Sequence, residues 1–218
     1  MHTPTAPAVR SIVGPPQWAV HVRKTVMSTK RIVALAAASL CLWGALIGSV
    51  AAAELTAKPA TSWIYPLIPK FGAVHPRPDL PEQPDPKADY KVFVDVVSGN
   101  PDHAKPLESL DRLARLVNLM AYAKVPASHV HIVALIERQA TPAVFGNAMY
   151  RQHFQVDNPN LEILHALKAA GVHLVVCSQA LAGMGVADSG VSPDVTVTLS
   201  ALTDAVVYGQ RGYSYMQL

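Results

Sequence analysis

Cysteine occurs twice, at Cys41 and Cys177, and the two thiols stand in unlike surroundings. Cys41 lies inside an uncharged apolar run, behind Leu40 where a lipobox needs a small residue, and reads as a passive member of that run. Cys177 ends the apolar stretch Val172–Cys177 and precedes Ser178 and Gln179, where a short helical turn is expected to begin. Backbone N–H groups and the dipole at a helix start favour an anion. They therefore favour the thiolate, which is both the nucleophilic form of cysteine and the form that carries a bound sulfur atom. Three roles are open to such a thiol. It reacts, it pairs between chains, or it is buried and inert, since cysteine is among the residues most often found inside.

Other chemistry-bearing residues gather at predicted strand ends, where sites form in open α/β sheets. Asp95 to Asn100 follow the first strand and Glu137 to Thr141 the second. Asp95 and Glu137 serve as acid and base only if one pocket unites them with Cys177; otherwise they are structural. His129 and His131 have the i,i+2 spacing that puts two side chains on one strand face, but no third metal ligand accompanies them. The chain has no H-E-x-x-H, C-x-x-C, G-x-S-x-G or Walker lysine. Gly183-Met184-Gly185 lacks the third glycine of a dinucleotide fingerprint, where Asp188 stands instead. No cofactor and no metal are expected, and no enzyme class is assigned by motif.

The net charge of +3 over 218 residues conceals a split. Five Lys and Arg and no Asp or Glu precede Glu54, so the remainder, with 13 basic and 15 acidic residues, carries −2. A mildly acidic body without a basic run disfavours nucleic acid as a partner. Ile32–Ala53 contains no charged residue over 22 positions, follows Lys30-Arg31 and ends in Ala51-Ala52-Ala53. That order describes a secretory signal cleaved after Ala53, with Met27 as a candidate start and a periplasmic or secreted destination. The alternative is a membrane anchor formed by residues 32–53, which are long enough to span a bilayer. Cleavage leaves Cys177 as the single thiol, so an intramolecular disulfide is excluded.

These residues need elements to position them. Eight prolines in residues 54–88 argue against regular structure, while Trp63, Ile64, Tyr65, Leu67, Ile68 and Phe71 are too apolar for a solvated linker. An extended arm is expected, with its aromatics packed on the domain or on a neighbouring subunit. From residue 89 strands and helices alternate. Strands are predicted at Tyr90–Val97, Val130–Ile136, Val172–Cys177, Val195–Leu199 (an edge, from its period of two) and Gly212–Met216. Helices are predicted at Leu107–Ala123, with Asp111 and Arg115 as an i,i+4 pair, and at Thr141–His153. Another starts at Asn158-Pro159 as cap and first residue and closes at Gly171, and a last one is capped by Ser200. Such alternation implies an α/β domain with a mostly parallel sheet and helices on both faces, a three-layer α/β/α arrangement.

The order of residues from Tyr90 to Leu218 resembles the DsrE family of small α/β proteins, which includes sulfur-relay subunits. The resemblance rests on Tyr90–Asp95, Arg115-Leu116-Val117-Asn118, Asn158-Pro159-Asn160-Leu161 and Ala170-Gly171-Val172 leading into Val175-Val176-Cys177-Ser178-Gln179-Ala180-Leu181. Leu199-Ser200-Ala201-Leu202, Gln210, Gly212 and Tyr213 extend it. Exported members similarly carry a leader and an arm with pieces like Trp63–Pro66 and Phe71-Gly72. The resemblance implies a five-stranded sheet, homo-oligomers, and a cysteine after the third strand that holds a persulfide and passes its outer sulfur to a partner. Cys177 matches that position, Ser178 and Gln179 would bind the sulfur anion, and Asn118 and Thr141 are further pocket candidates. Where exported members show an H-G-x-A-T turn, this chain has Glu137-Arg138-Gln139-Ala140-Thr141. The expected partners are therefore a second copy and a sulfur donor or acceptor, protein or small molecule. The membrane enters only through an uncleaved leader. The rivals are a non-catalytic oligomeric scaffold with a buried cysteine, and a redox sensor pairing Cys177 between chains.

Overall fold

Strand β1 (Tyr90–Val96) is buried on both faces from Val92 onward, as a β-branched run in the middle of a parallel sheet must be. In the computed structural model, which describes residues 62–218, β1 lies between β2 (Val130–Ile136) and β5 (Ser214–Gln217). With β3 (His173–Cys177) and β4 (Thr196–Thr198) they form one sheet of order β4-β3-β2-β1-β5, and every pairing in it is parallel. The leader and Cys41 lie outside the described residues. Among the described residues no helix is long and apolar enough to cross a membrane.

The period of two sorts the strand residues between two cores. Val92, Val94, Val96, Ile132, Ala134, Ile136, Leu174 and Val176 face a large cluster. Its cover includes α1 (Glu108–Tyr122) and α3 (Leu161–Ala169), which supply Leu110, Leu113, Val117, Ile163, Leu164 and Leu167. Phe93, Val133, Leu135, Val175 and Cys177 face a smaller cluster completed by Ala201. Ala201 opens α5 (Ala201–Gln210), capped as expected by Ser200, whose Oγ accepts from Leu202 N at 3.2 Å.

Two helix expectations are corrected. The stretch from Thr141 is not one helix: a 3₁₀ segment spans Arg138–Val144 and α2 begins only at Asn147, running to Phe154. Pro142 removes a donor, and the backbone between the two segments bonds sideways, Ser192 N to Val144 O at 2.7 Å and Gly146 N to Gly190 O at 2.9 Å. Nor does Asn158 cap α3. Asn160 holds that position, while Asn158 is buried and donates to the carbonyls of Ala143 and Phe145 at 2.8 and 2.6 Å. Gly171 does close α3, at φ +91°, with Gly171 N bonded to Lys168 O and Val172 N to Leu167 O.

The described part of the proline-rich arm, from residue 62, is seated on α1 in one compact unit with the domain. Ile64 and Val74 form an antiparallel bridge, with both N–H···O bonds at 2.9 Å. The loop between them rests on α1 through Gly72, whose N donates to Asp111 Oδ1 at 2.7 Å. A Cβ on Gly72 would stand 2.1 Å from Arg115 N and 2.3 Å from Ala114 C. Ile68 and Val74 are buried and Phe71 packs against the large cluster, as expected of the arm, while Trp63 and Tyr65 remain exposed.

Candidate functional site

Cys177 is the last residue of β3 and the residue before α4 (Ser178–Gly183). Its extended backbone turns the side chain to the same face as Val175, among Phe93, Val133, Leu135 and Ala201, with 4% of its surface exposed. It is a free thiol and makes no capping hydrogen bond to the N–H groups of α4.

The polar residues after it close the corner. Ser178 Oγ donates to Leu199 O at 2.7 Å, and Gln179 Nε2 donates to Leu199 O at 3.2 Å and to Ser178 Oγ at 3.3 Å. Thr198, the register partner of Cys177, donates to Asp204 Oδ2 at 2.5 Å. These bonds tie the end of β3 to the β4–α5 corner.

Alternation places two carboxylates on the same face. Ile136 pairs with Val176, so Glu137 stands level with Cys177 one strand away, about 4.8 Å in a parallel ladder. Asp95 follows on β1. Its Oδ2 accepts from the Tyr215 hydroxyl at 2.8 Å, and its Oδ1 is buried without a hydrogen-bond partner. That hydrogen bond pushes the Tyr215 phenol above its ordinary pKa, with burial and the Asp95 charge acting in the same direction. Glu137 pairs with Arg138 at 3.3 Å. One sheet face thus carries a thiol and two carboxylates on three successive strands, with a phenol from the fourth strand. Glu137 is level with Cys177, and Asp95 is level with Val175, two residues behind them. Sequence reading missed Tyr215. Only the parallel pairing of β5 with β1 brings that residue to Asp95, 120 positions away.

Two of the pocket candidates are elsewhere. Asn118 is fully buried on α1, against the opposite face of the sheet, and serves the arm. Its Oδ1 accepts from Leu67 N at 3.0 Å and Ile68 N at 2.7 Å, and its Nδ2 donates to the carbonyls of Ile68, Phe71 and Gly72. Thr141 is fully buried in the 3₁₀ segment beside Ala140, Ala143 and Val144 of the large cluster, and its Oγ1 has no partner. His129 lies in a 3₁₀ turn before β2 rather than on the strand, 3.8 Å from Asp89. Among the described residues no group of three or more His, Cys, Asp or Glu is placed to hold a metal ion.

A family model described as "DsrE/DsrF-like family" matches residues 91–218. No curated protein matches the chain. Solved structures similar to it include a protein of unknown function, MTH1491, from Methanobacterium thermoautotrophicum, at 18% identity and a TM-score of 0.45, covering 60% of this chain and 100% of the other. The ychN protein from E. coli is similar at 15% identity and a TM-score of 0.38, covering 59% and 99%.

Proposed function

This chain belongs to the DsrE/DsrF-like family, a membership that suggests a role related to sulfur relay, and from that premise we propose that it carries reduced sulfur on Cys177. The observation that supports the reading is the position of this thiol at the carboxyl end of β3, on the rim where sites of open α/β sheets form. The Cys177 thiolate attacks the outer sulfur of a donor such as thiosulfate. A new S–S bond forms, the donor's S–S bond breaks, and sulfite leaves with the electron pair. A second thiolate then takes the outer sulfur by the same exchange and returns Cys177 to the thiolate. Entry requires the Leu199 corner to lift, because Ser178 and Gln179 are bonded to it in the closed state. Once it lifts, their hydroxyl and amide are free to bind the sulfur anion.

The protein acts as a homo-oligomer in this reading. Leu202 and Val206 on α5, which covers the side of the sheet that holds Cys177, are large apolar side chains left 80% and 60% exposed. In the same reading it is exported by the leader of residues 1–53, with Met27 as a candidate start, and works in the periplasm or outside the cell; the alternative is an anchor formed by residues 32–53. A second reading, a scaffold with an inert cysteine, is favoured by the burial of the thiol and by its lack of hydrogen bonds. Intact mass after thiosulfate or polysulfide treatment separates the two. The carrier gains the mass of one sulfur atom, loses it to dithiothreitol, and gains nothing as Cys177→Ala. A wild-type protein that stays at its starting mass and resists alkylation in the native state is the scaffold.

A further inference from the structure

On the face away from Cys177, the carboxyl half of α1, the turn before β2 and the end of α3 leave a cavity of about 280 Å³. Its walls include Leu67 of the arm with Val117, Met120, Ala121, Val125 and Val130. Charge enters this lining at a single residue, Lys124. Among the described residues no carboxylate forms an ion pair with its ammonium group.

Lys124 is also held in an unusual backbone state. Lys124 N bonds to Ala121 O and Val125 N to Met120 O, the double closure that puts the residue just past a helix in the left-handed region. The end of α3 has the same pair of bonds and fills that position with Gly171, whereas α1 fills it with lysine at φ +64°. Lys70, Arg138 and Gln155 share the conformation, but Lys124 alone of the four lines this cavity. Glycine would relieve strain there, and a lysine at that helix end instead complements the α1 dipole. Lys124 is exposed where it lines the cavity, so its ammonium group is free in solvent to meet an anionic head while the walls take an apolar tail.

We propose that this cavity binds a medium-chain monocarboxylate, with the hydrocarbon tail among the α1 side chains and the carboxylate on Lys124. Apolar walls with one or two polar groups that fix orientation are what small-ligand sites are made of. The site is separate from the sulfur chemistry and stands whether or not Cys177 carries sulfur.

Calorimetric titration of the whole domain with hexanoate and octanoate, below their micelle concentrations, tests it. Affinity rises by about fourfold per methylene while the tail still fits. Lys124→Gly suits the left-handed position better, so the variant is at least as heat-stable as the wild type. Its octanoate affinity nevertheless falls by about tenfold, the loss expected for one charge-assisted contact. Octanol binds wild type and Lys124→Gly alike. Ala121→Phe fills the cavity and abolishes both. The proposal is overturned if octanoate gives no saturable heat with the wild type, or if Lys124→Gly binds octanoate as well as the wild type does.

Discussion

The two faces of the sheet are made by alternate residues of the same strands, yet they are covered differently. One face lies under α1, α3 and the arm. The polar residues there complete hydrogen bonds within the fold: Asn118 to five backbone groups, Asp111 to Gly72, Arg115 Nε to Ala73 O at 2.9 Å. The other face has a small core under α5, whose outward side keeps Leu202 and Val206 in solvent. On that face one buried polar atom, Asp95 Oδ1, has no hydrogen-bond partner. A buried group without a partner is costly, so proteins keep few of them. Asp95, on the thinly covered face and two strands from Cys177, is one such group. Ser109 on α1 and Thr141 in the 3₁₀ segment are two more, both on the covered side, so unpartnered groups do not by themselves distinguish the faces, and neither hydroxyl has a structural explanation.

That contrast breaks most readily at the arm. Gly72→Ala drives a methyl group into the α1 backbone at a residue with φ +63°. It costs about 4 kcal/mol or unseats the arm outright, read as a lower urea midpoint and new proteolysis between residues 62 and 75. Asn118→Ala strands several backbone groups and costs about 2–3 kcal/mol in the same assay. Neither change removes sulfur loading of Cys177 in protein that remains folded.

On the other face the pattern reverses. Cys177→Ala loses about 1 kcal/mol of packing but all sulfur loading by intact mass. Tyr215→Phe removes a half-exposed hydrogen bond and costs less than about 1 kcal/mol. It also changes the alkaline limb of stability. The Tyr215 pKa is raised in the folded state. Its contribution is therefore fully present below the unfolded phenol value of about 10 and is lost as pH rises through the folded value. Urea unfolding at a series of alkaline pH values shows a shallower decline in the variant. Leu202→Asp with Val206→Asp changes monomer stability least, within about 0.5 kcal/mol, yet reduces the assembled mass in light scattering. Equal mass for the double variant and the wild type would remove α5 as the contact surface.

Much of the fold was legible. The β-branched runs located β1, β2 and β3 to within a residue or two, and Ser200 and Gly171 marked a helix start and a helix end by their own local chemistry. The Thr141–His153 helix and the Asn158 cap misled because local preference yields there to bonds with residues 190–192 and with the carbonyls of Ala143 and Phe145. The candidate site was legible only as separate strand ends. Cys177, Glu137 and Asp95 could each be placed at a rim, but their shared face follows from register.

Composition and period therefore determined the layers, the strand residues of both cores and the strand that ends in Cys177, since these depend on side chains a few positions apart. Tertiary structure alone decided that Asn118 clamps the arm, that Phe71-Gly72 is a docking piece and that Tyr215 reaches Asp95. Each depends on two distant segments meeting at van der Waals or hydrogen-bond distance, and no local preference encodes that separation.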